Sequence, residues 1–348
     1  MLSSFSPQVS HFAQVLIENM FQVKPGEVVA ITADSGAFHD IVFATAKAVE
    51  DAGGKPMVIY VSKAEYDGNA GLKVWPVEAL KAALCEVDVW IEYGGIVMLY
   101  SDIWEHAFKE NPRLRYLVIG DTEIDSLLRT FTGFDIPTLK LLLDRVMEMV
   151  MVSKKIHITS PNGTDVWYET NPDYAFDIDD GDYSQPIFGT APGYVNIVPK
   201  QGSMNGRIVF DVLMEADLEG ENQVEFLMKE GAIVDVNGNA EAVKFSKYLA
   251  AFEDPNMYKI SHNMIGLNPG VRELTGNIVE DERIWGGVDF GFGHTSPMDM
   301  PPDGQEAKSH FDGVVGKVSI LLDGVEIIRK GEVVHPELVP LSDKLLSQ

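Results

Sequence analysis

The chain has 348 residues, 53 acidic against 27 basic side chains, a formal charge of −26, 45% hydrophobic residues and a single cysteine. That apolar share feeds a sizeable core and excludes wholesale disorder, and the length suits about two domains of 100–200 residues each. The charge repels phosphate backbones and anionic lipid, so neither nucleic acid nor a membrane surface is an expected partner, and Cys85 alone excludes an internal disulfide or a Cys-x-x-Cys site.

In chain order, Val9, Phe12, Val15, Leu16 and Met20 recur at helical spacing and predict a helix over 5–22. Pro25-Gly26 ends it before a buried strand at 28–32. A helix over 39–51 closes at Gly53-Gly54, and a strand follows at 56–61. The unit recurs as helix 77–85, strand 87–93, helix 102–110 and strand 117–120, with helices at 123–130 and 137–152 after it. Such alternation predicts βαβ crossovers and a mostly parallel sheet. After residue 153 the texture changes. Strands at 155–160 and 165–169 flank Pro161-Asn162-Gly163-Thr164, whose Asn-Gly is a hairpin signal. The acidic run at 176–182 lacks EF-hand spacing and reads as a solvated turn. Strands at 207–212, 224–228, 232–236, 315–322 and 325–328 follow, with one helix at 240–252. The expectation is an α/β N-terminal domain with a mostly parallel sheet over 1–153, and a strand-rich α+β C-terminal domain over 154–348. Met1 to Phe5 lack the basic flank of a secretory leader, and no run reaches the length of a membrane span, so a soluble cytoplasmic protein is expected.

Several chemistries lack their motifs. No Gly-x-Gly-x-x-Gly opens a helix after the first strand, no Gly-x-x-x-x-Gly-Lys-Ser/Thr occurs, and no Gly-x-Ser-x-Gly elbow is present. Cys85 reads as a core residue. His11, His39, His106 and His157 have no partner at ligand spacing, and His335 reads as part of an exposed tail. His310-Phe311-Asp312 differs: on an extended segment its first and third side chains share a face, where a divalent metal can be held. A surface histidine beside an acid explains the triplet equally well. His262, in an apolar stretch punctuated by Gly266 and Pro269, is a candidate third ligand. Two histidines and a carboxylate form the facial triad of non-haem Fe(II) oxygenases, which leaves about three positions open. Spacing alone does not bring His262 to His310.

Ile265-Gly266-Leu267-Asn268-Pro269, Glu280-Asp281-Glu282-Arg283-Ile284-Trp285-Gly286-Gly287, Gly291-Phe292-Gly293 and Ser309-His310-Phe311-Asp312-Gly313 resemble the aminopeptidase T family of metallopeptidases and its offshoots. The resemblance implies an α/β first domain, a strand-rich second domain holding the metal, and a homo-oligomer. Those peptidases hold two metals. Here His310 and Asp312 match the retained His-x-Asp pair, whereas His262 and Tyr194 stand at positions of ligand glutamates and Asp289 at that of a ligand histidine. Ile260-Ser261-His262 together with His310-x-Asp312 is similar to the 2,5-dihydroxypyridine 5,6-dioxygenase branch. That likeness implies a mononuclear Fe(II) on His262, His310 and Asp312, and a ring-cleaving reaction between dioxygen and a small hydroxylated aromatic or N-heterocycle. It also implies second-sphere or acid–base roles for Tyr194, Asp289 and His294 and a pocket role for Tyr100. The chain departs from the branch at Leu99-Tyr100-Ser101, where a histidine is expected, and at 188–193. A metal-dependent aminopeptidase or hydrolase using Zn, Co or Mn is the alternative, and a metal-free binding protein on an inherited scaffold is a third.

Overall fold

The computed structural model describes residues 5–65, 68–94, 97–120, 123–214, 216, 218 and 222–347. Met1 to Ser4, on which the expectation of no secretory leader rests, lie outside the described residues. The chain divides into two compact units, one of Met1–Ile136 with Gly181–Pro192, the other of Pro137–Asp180 with Gly193–Gln348. The helix Ile136–Val152 therefore groups with the second unit, and a short later segment returns to the first. Among the described residues no helix is long and apolar enough to cross a membrane.

The first unit is built on a parallel sheet in the order Lys55–Tyr60, Val28–Ala33, Val89–Tyr93, Arg115–Ile119, Ile187–Gly189. The first four strands are the apolar runs seen in the sequence. The fifth comes from the returning segment and was not foreseen. Both faces are covered, as parallel sheets require. Val29 and Ile31 point to one core with Leu16, Ile41 and Leu127, while Ala30, Trp90 and Tyr116 point to another with Leu80 and Trp104. The expected helix over 5–22 is an α-helix only over Pro7–Gln14, capped by Ser6; Val15–Met20 continues with wider turns, and Phe21 N–H donates to the Leu16 carbonyl.

The second unit holds two antiparallel sheets. One runs Ala232–Gly238, Val224–Lys229, Asn205–Val209, Asp165–Glu169, Lys155–Thr159, Ser319–Leu322, Val325–Arg329, Glu332–Val333. The other runs Val212–Leu213, Gln305–Val315, Gly287–Thr295, Ile260–Gly266, Tyr194–Ile197, Phe176–Asp179. The expected strand at 315–322 is in fact two, Gln305–Val315 and Ser319–Leu322, which belong to different sheets; Lys317, at φ 51°, lies in the turn between them. The acidic run is no solvated turn either: Phe176–Asp179 is an edge strand, and Asp179 and Asp180 are buried.

Period-two alternation explains how the second sheet serves two purposes. Phe290, Phe292 and Phe311 point to one side and are fully buried. Phe292 and Phe311 stack at 5.2 Å, and Phe226 of the larger sheet and Phe245 of the helix Ala240–Ala251 pack around them. The opposite face carries Asp289, Gly291, His310 and Asp312. Phe311→Ala should remove about 3–5 kcal/mol of stability in urea unfolding, because the stacked cluster cannot collapse into the space left. A loss under about 1 kcal/mol would contradict this packing.

Candidate metal centre

Three adjacent strands build the centre. His262 lies on Ile260–Gly266, Asp289 on Gly287–Thr295, and His310 and Asp312 on Gln305–Val315. The register aligns His262 with Gly291 and Gly291 with Asp312, so the outer two residues face each other across the middle strand. His310 sits one pair further along, opposite Gly293. Asp312 Oδ1 lies 3.0 Å from His310 Nε2 and 3.4 Å from His262 Nε2. The two imidazole rings are stacked at 5.1 Å. One ligand atom from each of His262, His310 and Asp312 falls within 4.8 Å of the others. Donors about 2.1 Å from one metal are about 3 Å apart when they occupy neighbouring positions, so this set fits a single divalent ion.

Hydrogen bonds fix which atoms are on offer. His310 Nδ1 is 2.9 Å from the His294 carbonyl, which only accepts, so Nδ1 carries the proton and Nε2 is the donor atom for a metal. Ser261 Oγ donates to the same carbonyl and accepts from Thr295 Oγ1, anchoring the bend at His294. His262 Nε2 is 3.0 Å from Asp289 Oδ2. Burial lowers the His262 pKa and raises that of Asp289 well above its ordinary value, with Asp312 raising the latter further. Burial thus disfavours the charged form of both groups. Asp289 is fully buried and its Oδ1 has no partner. Burial opposes charge on His310, but Asp312 outweighs it and the imidazolium is raised to about 9. Burial likewise pushes Asp312 up, yet His310 holds it below the ordinary aspartate value.

The other expected residues fall as follows. Tyr194 lies on the same sheet, paired with Gly266, and the Arg283 guanidinium sits 5.4 Å over its ring. His294 reaches the centre through its carbonyl; burial and then the charge of His310 lower the pKa of its own imidazole. Tyr100 belongs to the first unit, at φ 60°, its ring against Trp104 and Phe188. Of the remaining histidines, His157 pairs with Asp165, and His335 is no tail, since its carbonyl receives the N–H groups of Leu338 and Val339 at the start of the helix Val339–Leu346.

Four acidic or basic residues around the centre escaped the sequence reading. Burial raises Asp299 to about 6 and Glu282 to about 8; Asp177 then adds to the first, and Arg283 opposes the second. Asp177 is raised by burial and accepts from Asn196 Nδ2 at 2.8 Å. The signal for Asp177 was present as Phe176-Asp177-Ile178-Asp179, an apolar–polar alternation typical of a strand. Glu282 and Arg283 stood within the 280–287 stretch that carries the family resemblance, which assigns them no role.

Two results are expected. His310→Ala or Asp312→Ala should abolish metal retention, measured by elemental analysis, with little change in far-UV circular dichroism. The raised His310 pKa stabilises the metal-free fold fully below its unfolded value of about 6.5, and this contribution is lost as pH rises through about 9. A metal must displace that proton, so affinity should rise with pH up to about 9 and then level, with proton release measurable by calorimetry in different buffers. An affinity flat over that interval would contradict the assignment of His310 Nε2.

A curated 2,5-dihydroxypyridine 5,6-dioxygenase from Pseudomonas putida KT2440 is 24% identical over 299 residues, 82% of this chain and 79% of that protein. A solved 2,5-dihydroxypyridine dioxygenase from the same organism superposes with a TM-score of 0.81 at 18% identity, covering 95% of this chain and 98% of that one. Wild-type AmpT from Thermus thermophilus superposes with a TM-score of 0.64 at 14% identity, over 95% of this chain and 100% of that one. These two superpositions establish a shared fold. Residues 9–335 match the family model described as NicX, 2,5-dihydroxypyridine 5,6-dioxygenase, and the chain therefore belongs to that family.

Proposed function

We propose that this protein is an Fe(II)-dependent dioxygenase that cleaves the ring of a small hydroxylated aromatic or N-heterocycle resembling 2,5-dihydroxypyridine. Ring-cleaving dioxygenation is the activity of its family. The observation that carries the metal assignment is the convergence of His262, His310 and Asp312, the only such group of three among the described residues. Two imidazoles and one carboxylate suit an iron that must keep positions open.

Bound there, a ferrous ion supplies the electron transfer that lets dioxygen react with a closed-shell ring. The chain's own residues bind, orient and move protons. His262, His310 and Asp312 hold the metal, and the His294 carbonyl fixes the tautomer and angle of His310. Asp299, raised to about 6 by burial and then by Asp177, is ionised near neutral pH and is suited to accept the proton of a substrate hydroxyl. Asp289, whose pKa burial raises, packs beside the His262 imidazole. Tyr194, held beneath Arg283, orients that guanidinium and its Glu282 partner. As in its relatives by resemblance, the protein is read as a homo-oligomer.

Protein purified without oxygen and loaded with iron should bind about one iron per chain and consume one dioxygen per 2,5-dihydroxypyridine opened. Labelled dioxygen should leave both oxygen atoms in the product. Release of amino acids from peptides with two bound Zn, Co or Mn ions, and no dioxygen uptake, would replace this reading with the hydrolase.

A further inference from the structure

Two side chains on strands that flank a third stand about 10 Å apart at their backbones, because neighbouring strands are spaced by about 4.8 Å. They meet only by leaning over the strand between them. His262 and Asp312 are in this position, and the residue between them at the same register is Gly291. A Cβ built on Gly291 would lie 2.4 Å from His262 Cε1, 2.6 Å from Nε2 and 2.7 Å from Nδ1. All three are ring atoms of one rigid group, and the His310 ring lies 5.1 Å from it at 27° between the planes. A side chain at 291 would therefore push the ring from its place over the middle strand, and with it the 3.4 Å approach of Nε2 to Asp312.

Glycine is often required for its backbone freedom, but that need is absent here. Gly293, two residues on, has φ 93°, whereas Gly291 is not among the glycines with positive φ. Its backbone would accept any L-residue, and only the imidazole excludes one. Gly313, the other nearby glycine without positive φ, answers to a different neighbour, since its Cβ would meet the Phe210 ring on the edge of the core.

We propose that Gly291 is a positioning residue of the metal centre: its missing side chain is the floor on which the His262 imidazole lies, and it allows Nε2 to cross the middle strand to the shared metal position. The inference rests on the metal-centre reading, but its structural half stands or falls separately.

A double-mutant cycle tests it. Gly291→Ala should weaken iron binding about 10–100-fold, as loss of ligand orientation does, while far-UV circular dichroism stays near that of the parent chain. The metal-free proteins supply the second reading. Gly291→Ala should lower the thermal midpoint of the parent chain and leave that of His262→Ala unchanged, because the clashing ring is then gone. Should Gly291→Ala alone fail to fold, the double variant should fold, which supports the same clash. Equal midpoint losses in both backgrounds, a double variant that also fails to fold, or unaltered iron affinity in Gly291→Ala would each overturn the proposal. If His262→Ala retains iron while the cycle shows the coupling, the packing stands and the metal-centre reading fails.

Discussion

The centre depends on a single constraint, the pairing of three antiparallel strands in a register that lines up His262, Gly291 and Asp312. Period-two alternation then sends Phe290, Phe292 and Phe311 to the opposite face, where they are fully buried among Phe226 and Phe245. The aromatic core locks the register, since a slip of one residue would turn every phenylalanine outward and every ligand inward. Hydrophobic packing on one face of the sheet thus sets the geometry of the polar groups on the other. The His294 carbonyl adds the last restraint by orienting the imidazole of His310.

The electrostatics follow from the burial of many carboxyl groups in one place. Asp177, Glu282, Asp289 and Asp299 all have raised pKa values, each with desolvation as the first cause. Asp312 is the exception, held ionised by His310. Arg283, itself buried and shared between Glu282 and the ring of Tyr194, supplies a permanent positive charge to this field. Carboxyl groups whose pKa values burial raises, gathered around two imidazoles, suit a divalent cation and also suit proton exchange with a hydroxylated substrate. The same field is hostile to anionic ligands, in keeping with the formal charge of −26.

Much of the first unit was legible because its strands are continuous apolar runs separated by helical patterns. What escaped was the fifth strand, Ile187–Gly189, which is short and reached only after the chain has visited the second unit. In the second unit the ligand strands were harder to see. Gly287–Thr295 alternates phenylalanine with glycine and aspartate, a composition that reads as loop although it is the middle of a sheet. His310 and Asp312 were found from their spacing, and His262 from its apolar setting and its family motif. Their convergence depends on pairing between segments about fifty residues apart, which local periodicity does not encode. Asp177 and Asp299 were missed because acidic residues on a chain this acidic read as surface until the fold buries them.

The central claim is that one ion sits among these three side chains. Crystals grown without oxygen from iron-loaded protein, measured on both sides of the iron absorption edge, test it directly. The account predicts a single anomalous peak within bonding distance of His262 Nε2, His310 Nε2 and a carboxylate oxygen of Asp312. Two peaks, or one held by other residues, would contradict it.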